Sequence, residues 1–364
     1  MTPGPAASIS PRPELARPAS DSRTLRLRSK APLRVSFAGG GTDVSPFPET
    51  EGGAVLSATI ARYAYGSLTP RSDGVISLTS EDLGLQLQFN VDDPPPLNGR
   101  LDLIQTAVQR LAALAGGERG GYSLLVRCSV PPGSGLGSSS TVMVTLVGLL
   151  RERYGLQLDS YDVAHLAHRL EREELGITGG RQDQYAAVFG GFNYIEFPGD
   201  QVLVNPLRIR EETVYELEHN LLLCFTRQTR SSSLVIQDQS QRVVAGNAET
   251  LEGLRAQKAL AAELKRALLH NRLQEFGYLL GQAWDQKKRM SPRITTPHID
   301  ETYAAAVKAG ALGGKVTGAG GGGFMLLYCD FDRKPRVAER LRGMGVDVHE
   351  VVFSQAGLCT WSPG

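Results

Sequence analysis

Cysteine, tryptophan and surplus charge of either sign are all scarce in this sequence. Its 364 residues include four cysteines and two tryptophans, and 39 basic residues nearly balance 38 acidic ones, for a formal charge of +1. The cysteines form no C-x-x-C pair, which argues against a zinc site or a disulfide framework and predicts buried thiols in a reducing compartment. The balanced charge gives no reason to expect binding to nucleic acid or a membrane, so any anionic ligand must be held locally.

Long hydrophobic runs are also missing. The longest apolar stretch, near Val142–Leu150, is too short to cross a bilayer, and the amino terminus lacks the apolar core of a signal peptide. What is present is the composition of a globular protein, 41% hydrophobic and 21% charged, with length enough for two domains. We therefore expect a cytoplasmic protein with a sizeable core.

The order of sequence patterns predicts an α+β fold in two domains. Residues 1–26 are rich in Pro, Ala, Ser and Arg and are expected to form a disordered tail. β-rich runs and helical stretches mix over residues 27–200. Residues 201–364 carry a strand, two long helical patterns, a shorter helix and a final strand, helix and strand, with antiparallel pairing expected. Turn residues cluster around 198–206, which places the domain boundary there.

A loop rich in glycine and serine, residues 131–140, follows a predicted strand and leads into a predicted helix. Small residues let backbone N–H groups approach phosphate oxygens at the positive end of the helix dipole. Neither a G-x-x-x-x-G-K-[ST] nor a G-x-G-x-x-G pattern is present, so this is another class of phosphate loop. The alternative is a glycine-rich turn before an ordinary core helix.

Carboxylates cluster on both sides of a glycine turn in residues 171–184. A kinase needs one carboxylate to hold Mg²⁺ and usually another to orient or deprotonate the attacking hydroxyl, and this segment supplies both. For three of the four charged residues at 171–174, solvated surface charge at a helix end is the better interpretation. Asp183 resists that interpretation because an apolar run follows it directly.

Two further glycine segments lie near the ends of the chain. Residues 31–43 predict a strand that ends in a three-glycine turn with a polar tip, Thr42 and Asp43, able to approach a ligand closely. Residues 313–323 contain more glycine than a hairpin needs, which also fits a flexible linker. The predicted strand Phe324–Tyr328 directly after them favours an ordered loop.

Together, three motifs resemble the signatures of the GHMP kinase family. They are Ala-Pro-x-Arg-Val with Gly-Gly-Gly-Thr-Asp at 31–43, Pro-x-x-x-Gly-Leu-Gly-Ser-Ser-Ser at 131–140 and Lys-Val-Thr-Gly-Ala-Gly-Gly-Gly-Gly at 315–323. The resemblance extends from Lys30 onward. It implies ATP and Mg²⁺ as cofactors, an amino-terminal domain similar to ribosomal protein S5 domain 2, and a ferredoxin-like carboxy-terminal domain.

Within the family, the segments Ala-Gly-Gly-Gly-Thr-Asp, Gly-Ile-Thr-Gly-Gly-Arg-Gln-Asp-Gln and Val-Asn-Pro-Leu-Arg-Ile are most similar to kinases that phosphorylate the anomeric C1 hydroxyl of D-glycero-α-D-manno-heptose 7-phosphate. Galactokinases share the Glu-x4-Gly-x6-Asp-Gln spacing but carry Glu-His where this chain has Gly40-Gly41, which speaks against galactose. The alternatives are a kinase for an unphosphorylated sugar such as fucose, an ATP-using decarboxylase and a catalytically silent sugar sensor.

The resemblance also implies roles for individual residues. Asp183 is expected to be the catalytic carboxylate, paired with Arg34, while Ser139 and Glu171 are expected to hold Mg²⁺. The nucleotide is expected at Pro132, Gly133, Gly135, Leu136, Gly137, Ser138, Ser139 and Ser140. The sugar is expected at Gly40, Gly41, Thr42, Asp43, Gly179, Gly180, Asp183, Gly318, Gly320 and Gly321.

A 7-phosphate on the sugar requires cations far from the triphosphate. Lys287, Lys288 and Arg230 are the substrate-binding candidates, with Arg227 and Arg289 near them. The alternative for residues 287–289 is a favourable charge cluster at a helix C-terminus. The expected partner is thus a small sugar phosphate, with no nucleic acid and no membrane, bound by a monomer or a homodimer.

Overall fold

The computed structural model of the protein describes residues 26–118, 120–228 and 232–363. The tail predicted at residues 1–26 lies outside these ranges except for Arg26, and the candidate Arg230 lies outside them too. None of the helices within them is both long and apolar enough to cross a membrane. The described chain forms two sheets with helices packed on them.

Twelve strands form in the described ranges, and the β-rich runs predicted between residues 54 and 197 are confirmed as the second to sixth of them. The strands are β1 (Leu27–Ala38), β2 (Gly53–Pro70), β3 (Val75–Ser80), β4 (Leu85–Asn90), β5 (Tyr122–Cys128), β6 (Phe192–Phe197), β7 (Leu203–Pro206), β8 (Leu221–Phe225), β9 (Ala311–Val316), β10 (Phe324–Cys329), β11 (Asp347–Glu350) and β12 (Cys359–Trp361).

Eleven helices form in the same ranges, and a π-helical turn, Leu170–Glu174, continues the fourth. The helices are α1 (Phe47–Glu51), α2 (Asp102–Leu114), α3 (Ser138–Tyr154), α4 (Ser160–Arg169), α5 (Gln182–Phe189), α6 (Glu211–Asn220), α7 (Ser232–Val244), α8 (Ala248–Leu269), α9 (Leu273–Lys288), α10 (Pro297–Ala309) and α11 (Lys334–Arg342). The two long helical patterns are confirmed as α8 and α9, whereas α6 and α7 have no counterpart among the sequence predictions.

The first sheet contains eight strands in the order β12-β1-β2-β5-β3-β4, with β6 and β7 continuing from β2. β3 runs parallel to β5, and the other neighbours are antiparallel. The 18 residues of β2 let it pair with β1 on one edge and with β6 and then β5 on the other. Helix α3 is buried on most of its sides because it packs against both α2 and the strands β1 and β2.

The second sheet is antiparallel, in the order β11-β8-β10-β9. Helix α9 packs on β9, and α8 packs on β1 and β2, so these helices lie between the two sheets. The rings of Phe37 on β1 and Phe276 on α9 meet edge to face, with centroids 5.2 Å apart. Both are fully buried in one apolar cluster that includes residues of both sheets, and the two halves of the chain therefore share a core.

Residue 200, the predicted domain boundary, falls inside a hairpin. β6 and β7 pair across it, which places residues 203–206 in the first sheet. The last strand, β12, also returns to that sheet, where Cys359 lies opposite Lys30 of β1. The carboxy-terminal half therefore contributes strands to both sheets, and the division into domains at 27–200 and 201–364 stays a prediction.

Candidate active site

One pocket brings together most of the predicted site residues from both halves of the chain. Its walls are the turn after β1, the loop before α3, the segment between α4 and α5, helices α7 and α9, and the loop between β9 and β10. The predicted residues that line it are Arg34, Gly40, Gly41, Asp43, Gly133, Gly135, Gly137, Ser138, Ser139, Ser140, Glu171, Gly179, Gly180, Asp183, Lys287, Gly318 and Gly320.

Within the predicted phosphate loop, residues 131–140, the irregular part ends at Gly137 and α3 begins at Ser138. The backbone of Gly137 is left-handed, with φ at 76°. A larger residue is disfavoured there, because a Cβ at Gly137 would also lie 3.2 Å from the carboxylate of Asp183. The first turn of α3 lines the pocket, so its unpaired N–H groups and the positive end of its dipole are available to an anion. This local geometry supports the prediction of a phosphate loop.

The second glycine loop, residues 317–323, packs directly against the first. A Cβ at Gly318 would lie 2.6 Å from the carbonyl oxygen of Gly135. The N–H of Phe324 donates to the carbonyl oxygen of Ser134 over 2.9 Å. These contacts favour an ordered loop over a flexible linker, and they explain why the loop can carry hardly any side chains.

Arg34 and Asp183 form an ion pair between β1 and the first turn of α5. Nε of the guanidinium donates to Oδ1 of Asp183 over 2.8 Å, and Nη2 lies 2.7 Å from the same oxygen. Nη1 donates to the carbonyl oxygen of Gly135 over 2.9 Å, so Arg34 also anchors the first glycine loop. The side chain of Arg34 is 4% exposed and that of Asp183 is 17% exposed, which leaves the carboxylate accessible from the pocket. The predicted pairing is confirmed.

Glu171 lies on the π-helical turn after α4 and is completely buried. The hydroxyl of Ser139 donates to Oε1 of Glu171 over 2.7 Å, and the amide of Gln184 donates to Oε2 over 2.7 Å. The two predicted Mg²⁺ ligands are thus adjacent at the start of α3. No three His, Cys, Asp or Glu side chains among the described residues cluster to hold a metal by themselves. A cation here would also need oxygens from a ligand, as Mg²⁺ commonly takes from phosphates.

Arg172 is a site residue that the sequence interpretation assigned to the surface. Its guanidinium donates to the hydroxyl of Ser140 over 3.0 Å and to the carbonyl oxygens of Ile177 and Gly180 over 3.2 and 3.3 Å. Only 12% of the side chain is exposed, and Nη1 lies 3.3 Å from Glu171. Arg172 therefore braces the glycine turn between α4 and α5. The sequence interpretation assigned three of the four charged residues at 171–174 to the surface, but only two of the four are exposed.

Asp43 is buried at the end of the turn after β1. Its carboxylate accepts hydrogen bonds from the backbone N–H groups of Gly41 and Gln182, over 3.0 and 3.1 Å, and from the side-chain amide of Gln182 over 3.2 Å. The amide oxygen of Gln182 is buried beside the pocket and has no hydrogen-bond partner among the described residues. A ligand hydroxyl would satisfy it. Gln182 was not among the predicted site residues, and its position next to Asp183 is the one feature of the sequence that could have indicated a role.

Lys287 enters the pocket from the last turn of α9 and is 3% exposed. Its ammonium donates to the carbonyl oxygen of Gly318. Burial and, to a smaller extent, the charge of Arg34 lower the pKa of Lys287 to about 8, against the opposing effect of Asp43 and Asp183. An anionic ligand would favour the charged form of this ammonium.

The other cations proposed for a second phosphate do not line this pocket in the described residues. Arg230 lies outside the described ranges. Three of the candidates are instead paired with carboxylates elsewhere: Lys288 with Asp285, Arg289 with Glu252 and Arg227 with Asp347. The predicted contact of Lys288 with substrate therefore has no support in its position.

Four further predicted ligand contacts have other positions. The hydroxyl of Thr42 is buried and donates to the carbonyl oxygen of Gly39 over 2.7 Å, which closes the turn. Leu136 packs its side chain in the core, and Gly321 does not line the pocket. Pro132 lines a neighbouring cavity instead. These residues shape the loops, and the loops present other groups to the pocket.

That neighbouring cavity, of about 210 Å³, adjoins the first glycine loop. It shares Gly133, Ser138 and Ser139 with the main pocket. The rest of its wall is mostly apolar and includes Leu101, Leu103, Ile104, Val126, Val130 and Val142. An apolar cavity beside a phosphate loop suits the adenine ring of a nucleotide.

Helix α7 forms part of the wall of the main pocket. Val235, Ile236 and Gln239 line the pocket from this helix. The amide of Gln239 donates to the carbonyl oxygen of Gly41 over 3.0 Å, which ties α7 to the turn after β1. None of these residues was predicted to be at the site.

Comparison with known proteins identifies this arrangement. The chain matches the GHMP kinases N terminal domain over residues 102–191 and the GHMP kinases C terminal domain over residues 264–347. It is 36% identical to the D-glycero-alpha-D-manno-heptose 7-phosphate kinase of Campylobacter jejuni, over 92% of this chain and 98% of that one. The chain belongs to the GHMP kinase family.

Solved structures agree with this assignment. The crystal structure of a D-glycero-D-manno-heptose 1-phosphate kinase from Bacteroides thetaiotaomicron matches with a TM-score of 0.78 and 34% identity, over 92% of this chain and 98% of that one. Lactococcus lactis galactokinase, solved with galactose, shares the fold with a TM-score of 0.73 at 20% identity, over 92% and 95% of the two chains. The predicted fold is confirmed, and the protein is an ATP-dependent sugar kinase.

Proposed function

We propose that this kinase transfers the γ-phosphoryl group of ATP to the anomeric C1 hydroxyl of D-glycero-α-D-manno-heptose 7-phosphate, with Mg²⁺, to give the 1,7-bisphosphate. The relative from C. jejuni, named for that substrate and matched over nearly its whole length, supports the choice. The Gly40-Gly41 pair supports it as well, because galactokinases carry Glu-His at these positions.

The position of the Arg34–Asp183 pair is the observation that carries the proposal. On one side of it lie the phosphate loop and the apolar cavity suited to adenine. On the other side lies the turn with Asp43 and the unsatisfied amide oxygen of Gln182. A carboxylate between a nucleotide site and a polyol site is suited to promote transfer from one to the other.

The chemistry assigned to the pair follows from its geometry. ATP with Mg²⁺ supplies an activated phosphoryl group and offsets its charge. Asp183 takes or orients the proton of the sugar hydroxyl while the hydroxyl oxygen bonds to the γ-phosphorus and the bond to ADP breaks. Arg34 fixes the carboxylate and offsets charge at the reacting oxygen.

Ser139 and Glu171 are the proposed Mg²⁺ ligands. A hydroxyl and a carboxylate are the hard oxygen donors that Mg²⁺ prefers, and these two lie 2.7 Å apart. Gln184 donates to the other carboxylate oxygen and Arg172 lies 3.3 Å from Oε1, and such outer partners commonly orient metal ligands.

A kinase for an unphosphorylated sugar is the second candidate, and one observation favours it. No cation of the described pocket is free at a remote end: Arg34 pairs with Asp183, Arg172 donates to backbone carbonyls, and Lys287 donates to Gly318 beside the phosphate loop. A 7-phosphate would therefore depend on Arg230 or on rearrangement of one of these. A silent sugar sensor is disfavoured, because it has no need of the complete set of Arg34, Ser139, Glu171 and Asp183.

Two coarser expectations belong to the same proposal. ATP is a cytoplasmic metabolite, so we infer a cytoplasmic location. We also infer a monomer or a homodimer that acts on a small sugar phosphate.

Release of ADP by the purified protein with Mg·ATP tests the proposal. The acceptor panel contains D-glycero-D-manno-heptose 7-phosphate, the same heptose without its phosphate, fucose, galactose and mevalonate. Selective turnover of the heptose phosphate is the expected result. Preference for an unphosphorylated sugar would overturn the substrate and favour the second candidate. Release of CO₂ would indicate a decarboxylase, and silence with every acceptor would contradict the assignment of heptose phosphate.

A further inference from the structure

Lys287 enters the pocket from α9, in the carboxy-terminal half of the chain, whereas Arg34 enters from β1. The ammonium of Lys287 donates to the carbonyl oxygen of Gly318, in the loop that packs on the phosphate loop. A Cβ at Gly40 would lie 4.0 Å from this ammonium and 3.7 Å from the amide nitrogen of Gln182. Lys287 therefore borders the phosphate side and the sugar side at once, and not the remote end expected for a 7-phosphate anchor.

The charged groups that face Lys287 come from four other elements and are already satisfied. Arg34 on β1 pairs with Asp183 on α5, and Asp43 in the turn after β1 accepts several hydrogen bonds. Lys315 on β9 is buried near Lys287 and donates to a backbone carbonyl oxygen over 2.8 Å. Among the described residues, the ammonium of Lys287 donates a hydrogen bond to the carbonyl oxygen of Gly318. An ammonium has three donors, so two remain for a ligand.

We propose that Lys287 stabilises the negative charge shared by the attacking sugar oxygen and the transferred phosphoryl group. The inference rests on phosphoryl transfer in this pocket but not on the identity of the sugar. A fixed cation at the point of transfer acts in the transition state and raises kcat. A cation that holds a remote phosphate acts on substrate binding and lowers KM. The two roles are therefore separable by kinetics.

The pH dependence follows from the burial of the same group. The pKa of Lys287 is about 8 in the free protein, so the ammonium loses its proton as the pH rises through that value. Phosphate oxygens favour the charged form and raise its pKa in the complex. We expect kcat/KM, which reports the free enzyme, to fall above a pH of about 8, and kcat to fall only at higher pH.

Lys287→Met and Lys288→Met form a matched pair, because the neighbouring lysine lies outside the pocket and pairs with Asp285. Both are assayed with whichever sugar the wild type phosphorylates. We expect K287M to lower kcat about 100-fold, to leave the KM for the sugar within about threefold, and to lose the alkaline fall in rate. K288M should keep the wild-type values. A raised KM with unchanged kcat in K287M, or an unchanged alkaline limb, would overturn the proposal.

Proton uptake provides a readout that needs no turnover and no sugar. Titration calorimetry with Mg·ATPγS at pH 8, in two buffers of different ionisation enthalpy, should show about half a proton more taken up by wild type than by K287M. Equal uptake would overturn the inference. Because this readout omits the sugar, failure of every acceptor in the panel would refute the proposed substrate and leave Lys287 still testable. If K287M does not fold, Lys287→Arg takes its place, because it keeps the charge but does not titrate near pH 8: proton uptake equal to that of the wild type would refute the proposal.

Discussion

The two carboxylates of the site, Glu171 and Asp183, have opposite surroundings. Glu171 is completely buried: Ser139 and Gln184 each donate a hydrogen bond to one of its oxygens, and the guanidinium of Arg172 lies 3.3 Å away. Asp183 is 17% exposed and forms an ion pair with one cation, Arg34. One carboxylate is thus held rigidly against a hydroxyl, while the other is fixed from one side and open to the pocket on the other.

This difference separates two tasks that a short acidic segment could not separate by itself. A rigid carboxylate beside a hydroxyl is suited to hold a cation at a fixed place. An accessible carboxylate steadied by a guanidinium is suited to meet a substrate hydroxyl and receive its proton. The glycine turn braced by Arg172 lies between the two residues in sequence and lets the chain present them to the same pocket from different helices.

Neutralising Asp183 should give the largest loss of activity among the site variants. Asp183→Asn keeps the shape of the side chain but removes its capacity to accept the hydroxyl proton, so we expect kcat to fall about 1,000-fold. Affinity for Mg·ATPγS should stay within about threefold, since the metal ligands are untouched. Asp200→Asn, at a side chain that is 96% exposed, is the control and should turn over as wild type does. Turnover of D183N within tenfold of wild type would remove Asp183 from the reaction.

Glu171→Gln should give the next largest effect, and of a different kind. Loss of the carboxylate charge should lower kcat about 100-fold at moderate Mg²⁺ and raise the Mg²⁺ concentration needed for half-maximal rate. Excess Mg²⁺ should restore part of the rate in E171Q but none in D183N. The control is Glu173→Gln, on the same helical turn but exposed. An unchanged Mg²⁺ requirement in E171Q would contradict the assignment of the metal ligand.

Gln184→Leu keeps the Glu171 carboxylate but removes one of the side chains that hold it in place. Because Oε2 loses its amide donor, we expect the Mg²⁺ concentration for half-maximal rate to rise about tenfold and the unfolding free energy to fall by about 1–2 kcal/mol. Metal titrations of activity and chemical denaturation measure the two effects. The double variant with E171Q should be no worse than E171Q alone, since both changes act on one group. Additive losses would mean that Gln184 acts through something other than Glu171.

Gly137→Ala should give the smallest effect, on the side of Asp183. Gly155→Ala is a matched control, because both glycines have a left-handed backbone, at φ 76° and 67°, but nothing lies within 4 Å of a Cβ at Gly155. Both variants should lose about 1 kcal/mol of unfolding free energy. Only G137A should also lower kcat, several-fold, because its methyl group crowds the carboxylate of Asp183. Equal activity of the two variants would mean that the carboxylate can move aside at no cost.

Much of the fold was readable from local patterns, and the exceptions have physical reasons. Gly313 and Gly314 were read as part of a loop, yet they lie within β9. A Cβ at Gly313 would meet the carbonyl oxygen of Gly277 at 2.1 Å, and one at Gly314 would meet the carbonyl oxygen of Leu326 at 2.5 Å. These glycines are therefore required by close packing within a strand and not by a turn, a distinction that only the neighbouring elements reveal.

Helix α7 was missed for a related reason. Its apolar residues Leu234, Val235 and Ile236 are consecutive and do not form a helical stripe, and Leu234 is 56% exposed. The helix buries Val235 in an apolar cluster, and polar contacts tie it to the turn after β1, which is remote in sequence. Arg172 and Gln182 were overlooked likewise, since their partners are backbone groups and a carboxylate supplied by other segments. Motif spacing revealed the residues proposed to react and not those that position them.

The pairing of β12 with β1 has a consequence for how this protein is made. Residues 28–30 find their strand partners in residues 359–361, so one edge of the first sheet stays bare until those late residues have been synthesised. The N–H of Leu358 also donates to the carbonyl oxygen of Val188 over 3.1 Å, and a Cβ on Gly148 in α3 would be blocked by the leucine side chain at 2.7 Å. Domains generally fold as they emerge from the ribosome. The nascent chain therefore contains the phosphate loop and α3 before residues 358–361, which pack against α3 and β1, have been made. The helix that follows the phosphate loop thus gains one of its packing partners, Leu358, long after the loop itself has been made.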